Sequence, residues 1–236
     1  MEPKFIYTEN VRNFLSMMGL VEKRVGSDSL AMVKGQAGRG KTRTARWYAI
    51  QNGCPFVESK RDWTVLWMYQ DILEAFGVAR VNVPHRKKAA FDMIIEESAK
   101  LQLPVILDEA DLVGPRLLET VRDLCKCTKV PWVLVGEEGL AHLMNRDRRV
   151  WSRRCAQMEF IPMSSPDIIA FAREACSLAM KGETAAVIQK ATGGDIRLIE
   201  LVLSISETIA RANKSGDISC DTANAAIGKV IPDAKR

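Results

Sequence analysis

Leu30-Ala31-Met32-Val33-Lys34-Gly35-Gln36-Ala37-Gly38-Arg39-Gly40-Lys41-Thr42 runs from a short apolar stretch through a glycine-rich turn into a helix-forming segment, Thr44 to Ile50. The turn matches G-x-x-x-x-G-K-[ST] in full, and its position between a strand and a helix predicts a phosphate-binding loop. The three glycines can adopt the backbone conformations that turn the N–H groups of residues 35 to 42 inward around a β-phosphate. A helix starting near Lys41 adds its positive dipole end. Lys41 then reaches the β- and γ-phosphates, and the Thr42 hydroxyl is a Mg²⁺ ligand. Gly35, Gln36, Ala37, Gly38, Arg39, Gly40, Lys41, Thr42 and the adjoining Arg43 are therefore the expected contacts of a nucleoside triphosphate, ATP with Mg²⁺.

Further along, Leu103-Pro104-Val105-Ile106-Leu107-Asp108-Glu109-Ala110-Asp111 is an apolar strand that ends in two adjacent carboxylates. Asp108, at the carboxyl end of that strand, is expected beside the loop as a second Mg²⁺ holder. Glu109 is then placed to orient and polarise a water for attack on the γ-phosphorus.

The rest of the composition sets limits. The chain has 236 residues, is 47% hydrophobic and carries a net charge of +5. That allows a proper core and permits contact with nucleic acid without requiring it. The six cysteines have no C-x-x-C or metal-type spacing, so they are expected to be reduced, buried thiols of a cytoplasmic protein. No signal peptide and no membrane span is expected, because no apolar stretch is long enough.

Strand-like and helix-like segments alternate, which predicts a parallel five-stranded sheet covered by helices. Helices are expected over 10–23, 44–50, 64–76, from Pro84 to 100, from Pro115 to about 128, and over 140–154. Strands are expected at 30–33, 55–58, 103–107, 132–136 and 157–161. After Pro162 only helical periodicity remains, over 165–180, 183–191, 195–212 and 220–230. The division expected is an α/β nucleotide-binding domain over 1–162 and a small all-helical lid over 163–236.

A phosphate loop, an Asp-Glu strand end, an arginine cluster before the last strand and a helical tail together resemble the AAA+ P-loop ATPases. Within them, the loop, "Val-Ile-Leu-Asp-Glu-Ala-Asp", "Leu-Val-Gly" and "Gly-Gly-Asp-Ile-Arg" most resemble the DNA-transposition ATPases of the phage Mu B type. The resemblance covers about residues 5 to 212. It implies that Arg197, after the Gly193-Gly194 turn and the Asp195 helix cap, is a sensor arginine that contacts the γ-phosphate. It also implies an arginine finger within Arg148, Arg149, Arg153 and Arg154, serving the neighbouring subunit's site. Arg153 and Arg154 are the candidates, and the sequence does not choose between them. Where such proteins commonly place Asn, Thr or Ser after the fourth strand, this chain has Gly136-Glu137-Glu138. A carboxylate there puts the hydrolysis rate in question.

For DNA, the strongest signal is His85-Arg86-Lys87-Lys88 at a helix start, where cations oppose the helix dipole and an anionic partner would relieve the conflict. Arg86, Lys87 and Lys88 are the candidate contacts, with Arg61 and Arg43 weaker ones. Nothing resembles a base-reading module, so binding to duplex DNA is expected to be sequence-independent. Trp63, Trp67 and Tyr69 are read as packing residues ahead of base-stacking ones.

What the resemblance implies is an ATPase that self-associates on DNA as a ring or helical filament and delivers target DNA to a transposase. Two other readings stand beside it. One is a motor or loader acting on a protein partner, as in secretion- or replication-initiator-like relatives. The other is a nucleotide-gated scaffold with negligible hydrolysis.

Overall fold

Along β1 (Leu30–Lys34) successive side chains alternate between two hydrophobic layers, as the period of a strand requires. The computed structural model describes residues 4–26, 29–146, 148, 152 and 154–231. They divide into two compact units. One comprises Phe14–Gln36 with Lys41–Phe160; the other comprises the described parts of Met1–Asn13, Ala37–Gly40 and Ile161–Arg236.

In the first unit, β2 (Phe56–Glu58), β3 (Val105–Asp108), β4 (Trp132–Val135) and β5 (Arg154–Glu159) join β1 in one parallel sheet of order β2-β3-β4-β1-β5. Leu30, Met32, Val105, Leu107, Trp132 and Leu134 face a core closed by α3 (Val65–Ala75), α4 (Lys87–Leu101), α5 (Pro115–Thr128) and α6 (Glu138–Arg146). Ala31, Val33, Ile106, Val133 and Val135 face the opposite layer. That layer is formed by α2 (Lys41–Asn52) and by the part of α1 (Glu9–Glu22) that lies in this unit. The central strands are buried on both faces, so their sequences are continuous apolar runs. Trp132 fills the middle of one layer, and truncating it to alanine is expected to cost ~3–5 kcal/mol.

Local chemistry sets the element ends. The Thr64 hydroxyl accepts the Trp67 N–H at 3.2 Å and caps α3. Pro115 occupies the first turn of α5, where its missing N–H has no partner to lose.

In the second unit, α7 (Ser165–Phe171), α8 (Gly182–Thr192), α9 (Ile196–Ala212) and α10 (Cys220–Val230) enclose Ile168, Phe171, Ile188, Ile199, Val202 and Ile227.

Several boundaries differ from expectation. Of the helix expected over 140–154, α6 spans Glu138–Arg146 and Arg148 is helical, while 147, 149–151 and 153 lie outside the described residues; the last strand begins at Arg154 rather than at Gln157. The cause is that β5 lies at the sheet edge with none of its residues fully buried and Gln157 and Glu159 exposed, so Arg154-Cys155-Ala156-Gln157 lacks the apolar run of an inner strand. The helix expected from Pro84 begins at Lys87, because residues 80–82 form a 3₁₀ turn and Arg86 is extended (φ −116°). The helix expected over 165–180 ends in a widened turn at Cys176, followed by left-handed Ser177. There Ala179–Met180 (β6) pairs in parallel with Asp217–Ile218 (β7). This pairing of segments far apart in sequence leaves no periodic signal. Of the cysteines, Cys54, Cys125 and Cys176 are buried; Cys155 and Cys220 are half-buried and Cys127 is exposed, contrary to the expectation of burial throughout. No helix among the described residues is long and apolar enough to cross a membrane.

Candidate functional site

The carboxyl ends of β1, β3 and β4 bring the charged residues together, because a parallel sheet aligns all its strand ends on one edge. After β1 the chain turns through Gly35, Gly38 and Gly40, all at positive φ (150°, 75° and 89°), and α2 starts at Lys41. Lys41 is only 9% exposed. Its Nζ donates to the carbonyl oxygens of Gly35 at 2.7 Å and Gln36 at 2.9 Å, which fixes the ammonium inside the loop. An anion received there meets a positioned cation together with the first turn of a helix.

Asp108 ends β3, in the strand next but one to β1. It is 1% exposed. Burial pushes its carboxyl above the ordinary value, against the lowering effect of the Thr42 hydroxyl bonded to it and of the nearby Lys41 charge. Its Oδ2 is buried and has no hydrogen-bond partner among the described residues. A hydroxyl and a carboxylate in contact, with one carboxylate oxygen unsatisfied, are a donor set that fits a small hard cation such as Mg²⁺. Lys41 and Thr42 from one stretch of sequence and Asp108 from another therefore meet in space.

Glu109 takes a left-handed backbone (φ 51°, ψ 35°) that turns the chain sharply off the strand and leaves its side chain exposed. Partial burial, followed by repulsion from Glu58, Asp108, Asp111 and Glu137, pushes its carboxyl upward. Strand register explains part of this crowding, since Glu58 lies opposite Asp108. Glu58 is paired with Arg46 at 2.7 Å. The next residue, Ser59, donates its backbone N–H to the Asp108 carbonyl at 2.9 Å, while its buried hydroxyl has no partner among the described residues. Sequence reasoning missed Glu58 and Ser59; the only available signal was their position at the end of an expected strand.

The Gly136-Glu137 departure has a structural cause. Asp111 Oδ1 accepts the Glu137 N–H at 2.9 Å and lies so close to Gly136 that a Cβ there would overlap it. A side chain at 136 would require the Asp111 carboxyl, held by the Glu137 N–H, to move; the first side chain after β4 is Glu137, which belongs to the carboxylate group around Glu109.

Arg197, exposed, is paired with Asp195 at 2.9 Å. Arg39 donates to the Gly193 carbonyl at 2.6 Å. Arg43 is exposed on α2. Arg154 pairs in register with Leu30, so it sits at the end of the sheet opposite the phosphate loop, and donates to Gln157 at 2.5 Å. Arg148 is exposed, whereas Arg149 and Arg153 lie outside the described residues.

Arg86, Lys87 and Lys88 are all exposed at the start of α4, and no side chain caps that helix. Lys88 pairs with Asp92. Val81, in the preceding 3₁₀ turn, is 89% exposed. Of the aromatic residues, Trp63 and Tyr69 are buried as expected for packing, while Trp67 is 40% exposed beneath the Lys60 ammonium.

Comparison with known proteins bears on this arrangement. A family model described as an AAA domain matches residues 23–144. The ATP-dependent target DNA activator B of Escherichia phage Mu is 30% identical over 139 residues, 57% of this chain and 42% of that protein. The chain thus matches about two-fifths of the length of this curated relative. Among solved structures, the Aeropyrum pernix ORC2 protein superposes with a TM-score of 0.68 at 15% identity, over 98% of this chain and 69% of that one. The Thermotoga maritima RuvB Holliday junction branch migration motor gives 0.63 at 17% identity, over 98% and 72%. These structural likenesses concern the fold: a five-stranded parallel P-loop sheet followed by a helical region.

Proposed function

The chain belongs to the AAA-domain ATPases, and we propose that it is an ATP-dependent DNA-binding member that assembles on duplex DNA and delivers that DNA to a transposase. The observation that carries the ATPase half is the meeting of the buried Lys41 ammonium, the Thr42 hydroxyl and the unsatisfied Asp108 oxygen at one edge of the sheet. The DNA half is supported by the uncapped, cationic start of α4 and by the likeness to a target DNA activator.

The loop amides of residues 35 to 42 and the first turn of α2 bind the β-phosphate. Lys41 neutralises charge on the β- and γ-phosphates and holds them in line. Thr42 and Asp108 would hold Mg²⁺, which when bound supplies charge neutralisation between the same phosphates. Glu109 in its ionised form accepts a proton from the attacking water as the water adds to the γ-phosphorus. Arg197 contacts the γ-phosphate, and Arg153 or Arg154 serves a neighbouring subunit. The functional division is a nucleotide-binding domain over 1–162 and a lid over 163–236.

Because an arginine finger meets its phosphate only while the γ-phosphate is present, nucleotide state controls subunit affinity. ATP then favours a ring or filament on DNA, and hydrolysis releases it. Arg86, Lys87 and Lys88 contact the DNA backbone, so affinity falls with salt and is indifferent to sequence.

A second reading is favoured by one observation: Glu137 adds to the carboxylates that raise Glu109. In that reading the chain is a nucleotide-gated scaffold that hydrolyses ATP negligibly. Sedimentation with ATP and Mg²⁺, with and without duplex DNA and alongside phosphate release, tests both. Large DNA-bound assemblies formed only with ATP, and dispersing as phosphate is released, support the first. Assemblies that persist, with no difference between the native chain and Glu109→Gln, support the scaffold. A species indifferent to DNA overturns the target-delivery reading.

A further inference from the structure

The tip of the phosphate loop and the start of α9 lie in the same compact unit and are bonded to each other. The Ile196 N–H donates to the Gly38 carbonyl at 2.8 Å, and Arg39 donates to the Gly193 carbonyl at 2.6 Å. The Asp195 carboxyl lies against the Gly38 Cα so closely that a Cβ on that residue would overlap both carboxyl oxygens. Gly38, at φ +75°, is required by its backbone conformation, and a side chain there would displace the Asp195 carboxyl.

Every visible bond of that carboxylate leads to Arg197 or to the helix start. Oδ1 accepts the Arg197 backbone N–H at 2.9 Å and the side-chain Nε at 3.3 Å, and Oδ2 accepts Nη2 at 2.9 Å. A carboxylate gripped by the fork of a guanidinium has the same shape and charge pattern that a phosphate offers it. Although burial opposes ionisation, the hydrogen bonds from Arg197 hold the Asp195 carboxyl below its ordinary range, so the pair is ionic at neutral pH.

The resemblance gives Arg197 a γ-phosphate contact, and on that reading the inference rests. We propose that Asp195 is a built-in competitor for Arg197, a carboxylate that occupies the arginine until a γ-phosphate displaces it. ADP offers no group to complete the exchange, so the competition sets how strongly the chain distinguishes ATP from ADP. After hydrolysis and phosphate loss the Asp195–Arg197 pair re-forms and the loop tip returns to its paired state.

The test uses the full chain at concentrations where sedimentation shows a single species. A non-hydrolysable ATP analogue and ADP are titrated calorimetrically with Mg²⁺ into the native chain, Asp195→Asn, Asp195→Ala, Arg197→Ala and Asp195→Asn/Arg197→Ala. Asparagine caps a helix as well as aspartate does, so Asp195→Asn removes the charge and keeps the cap. The expected result is an analogue-to-ADP affinity ratio roughly two- to fivefold higher in Asp195→Asn. Asp195→Ala, which also loses the cap, should raise the ratio similarly while melting at a lower temperature, a split that a purely structural role would not produce. In the Arg197→Ala background the charge change should have no effect on the ratio. A ratio unmoved by Asp195→Asn while Arg197→Ala lowers it overturns the competitor role alone. A ratio raised equally without Arg197 overturns it too, showing simple repulsion. A ratio unmoved by Arg197→Ala removes the sensor reading and the proposal together.

Discussion

Lys41 and the trio Arg86, Lys87 and Lys88 belong to the same sheet-bearing unit, both stand at the start of a helix, and both are read as phosphate contacts. They are held in opposite ways. Lys41 is buried, its ammonium fixed by two loop carbonyls and set among a hydroxyl and a carboxylate with an unsatisfied oxygen. The trio is exposed, no side chain caps its helix, and among the described residues Lys88 makes only a local pair with Asp92. A preorganised site suits one ligand in one pose, because the ordering has been completed before the ligand arrives. A loose cationic surface suits a polyanion of variable sequence, where charge matters more than register.

The sharpest way to break this contrast is Lys41→Ala. It should lower nucleotide affinity on the order of 100-fold or more, the scale for removing one member of a buried charged constellation; nucleotide titration with a parallel melting curve checks this. A loss of only a few-fold would place Lys41 in the same loose class as the α4 cations.

Next in size is Glu109→Gln, which should cut phosphate release by about 100-fold or more with nucleotide affinity retained. The general base must be ionised, and burial and acidic neighbours raise the Glu109 carboxyl. Hydrolysis should therefore rise with pH through that raised range and be lost on acidification. Glu137→Gln removes one repelling charge and should move the rising limb to lower pH. A rate profile unaltered by Glu137→Gln would disconnect that residue from the base.

Replacing Arg86, Lys87 and Lys88 together by alanine should weaken duplex binding roughly tenfold to a hundredfold and flatten the salt dependence by up to ~0.9 per lost phosphate contact. DNA-independent phosphate release should not change. If hydrolysis without DNA falls as well, the two charge groups are coupled and the contrast fails.

The smallest effect is one of stability. The Asp108 carboxyl is raised in the fold, so its contribution is most favourable below the unfolded value and is lost as pH climbs through the raised one. Asp108→Asn should then raise the melting temperature of the nucleotide-free chain by a few degrees at neutral pH, on the order of 1 kcal/mol. The same change should abolish Mg²⁺-dependent hydrolysis. A lower melting temperature would show that Asp108 supports the fold as well as the chemistry.

The parts of this arrangement that were readable in the sequence are those written locally. The loop motif carried Lys41 and Thr42, an apolar run ending in Asp108-Glu109 carried the strand and its acids, and Thr64 and Pro115 marked helix starts. What escaped was set by partners distant in the chain or by exposure. Arg154 did not look like a strand because an edge strand need not be apolar. The approach of Asp195 to Gly38, and of Asp111 to Gly136, joins segments whose separation leaves no periodic trace. Pro84 suggested a helix start, but the extended Arg86 postponed it to Lys87.

The squeeze between Asp111 and Gly136 also bears on how such a chain can change through descent. An ordinary route to a water-orienting residue after the fourth strand would be substitution of Gly136 itself, yet a side chain there can fit only if the Asp111 carboxyl, which also holds the Glu137 amide, shifts away. Variation is therefore channelled into residue 137, whose side chain is exposed. A lineage seeking faster or slower turnover has one open position at this strand end and one closed one. Relatives that carry a side chain at the closed position are expected to have first exchanged Asp111 for something smaller.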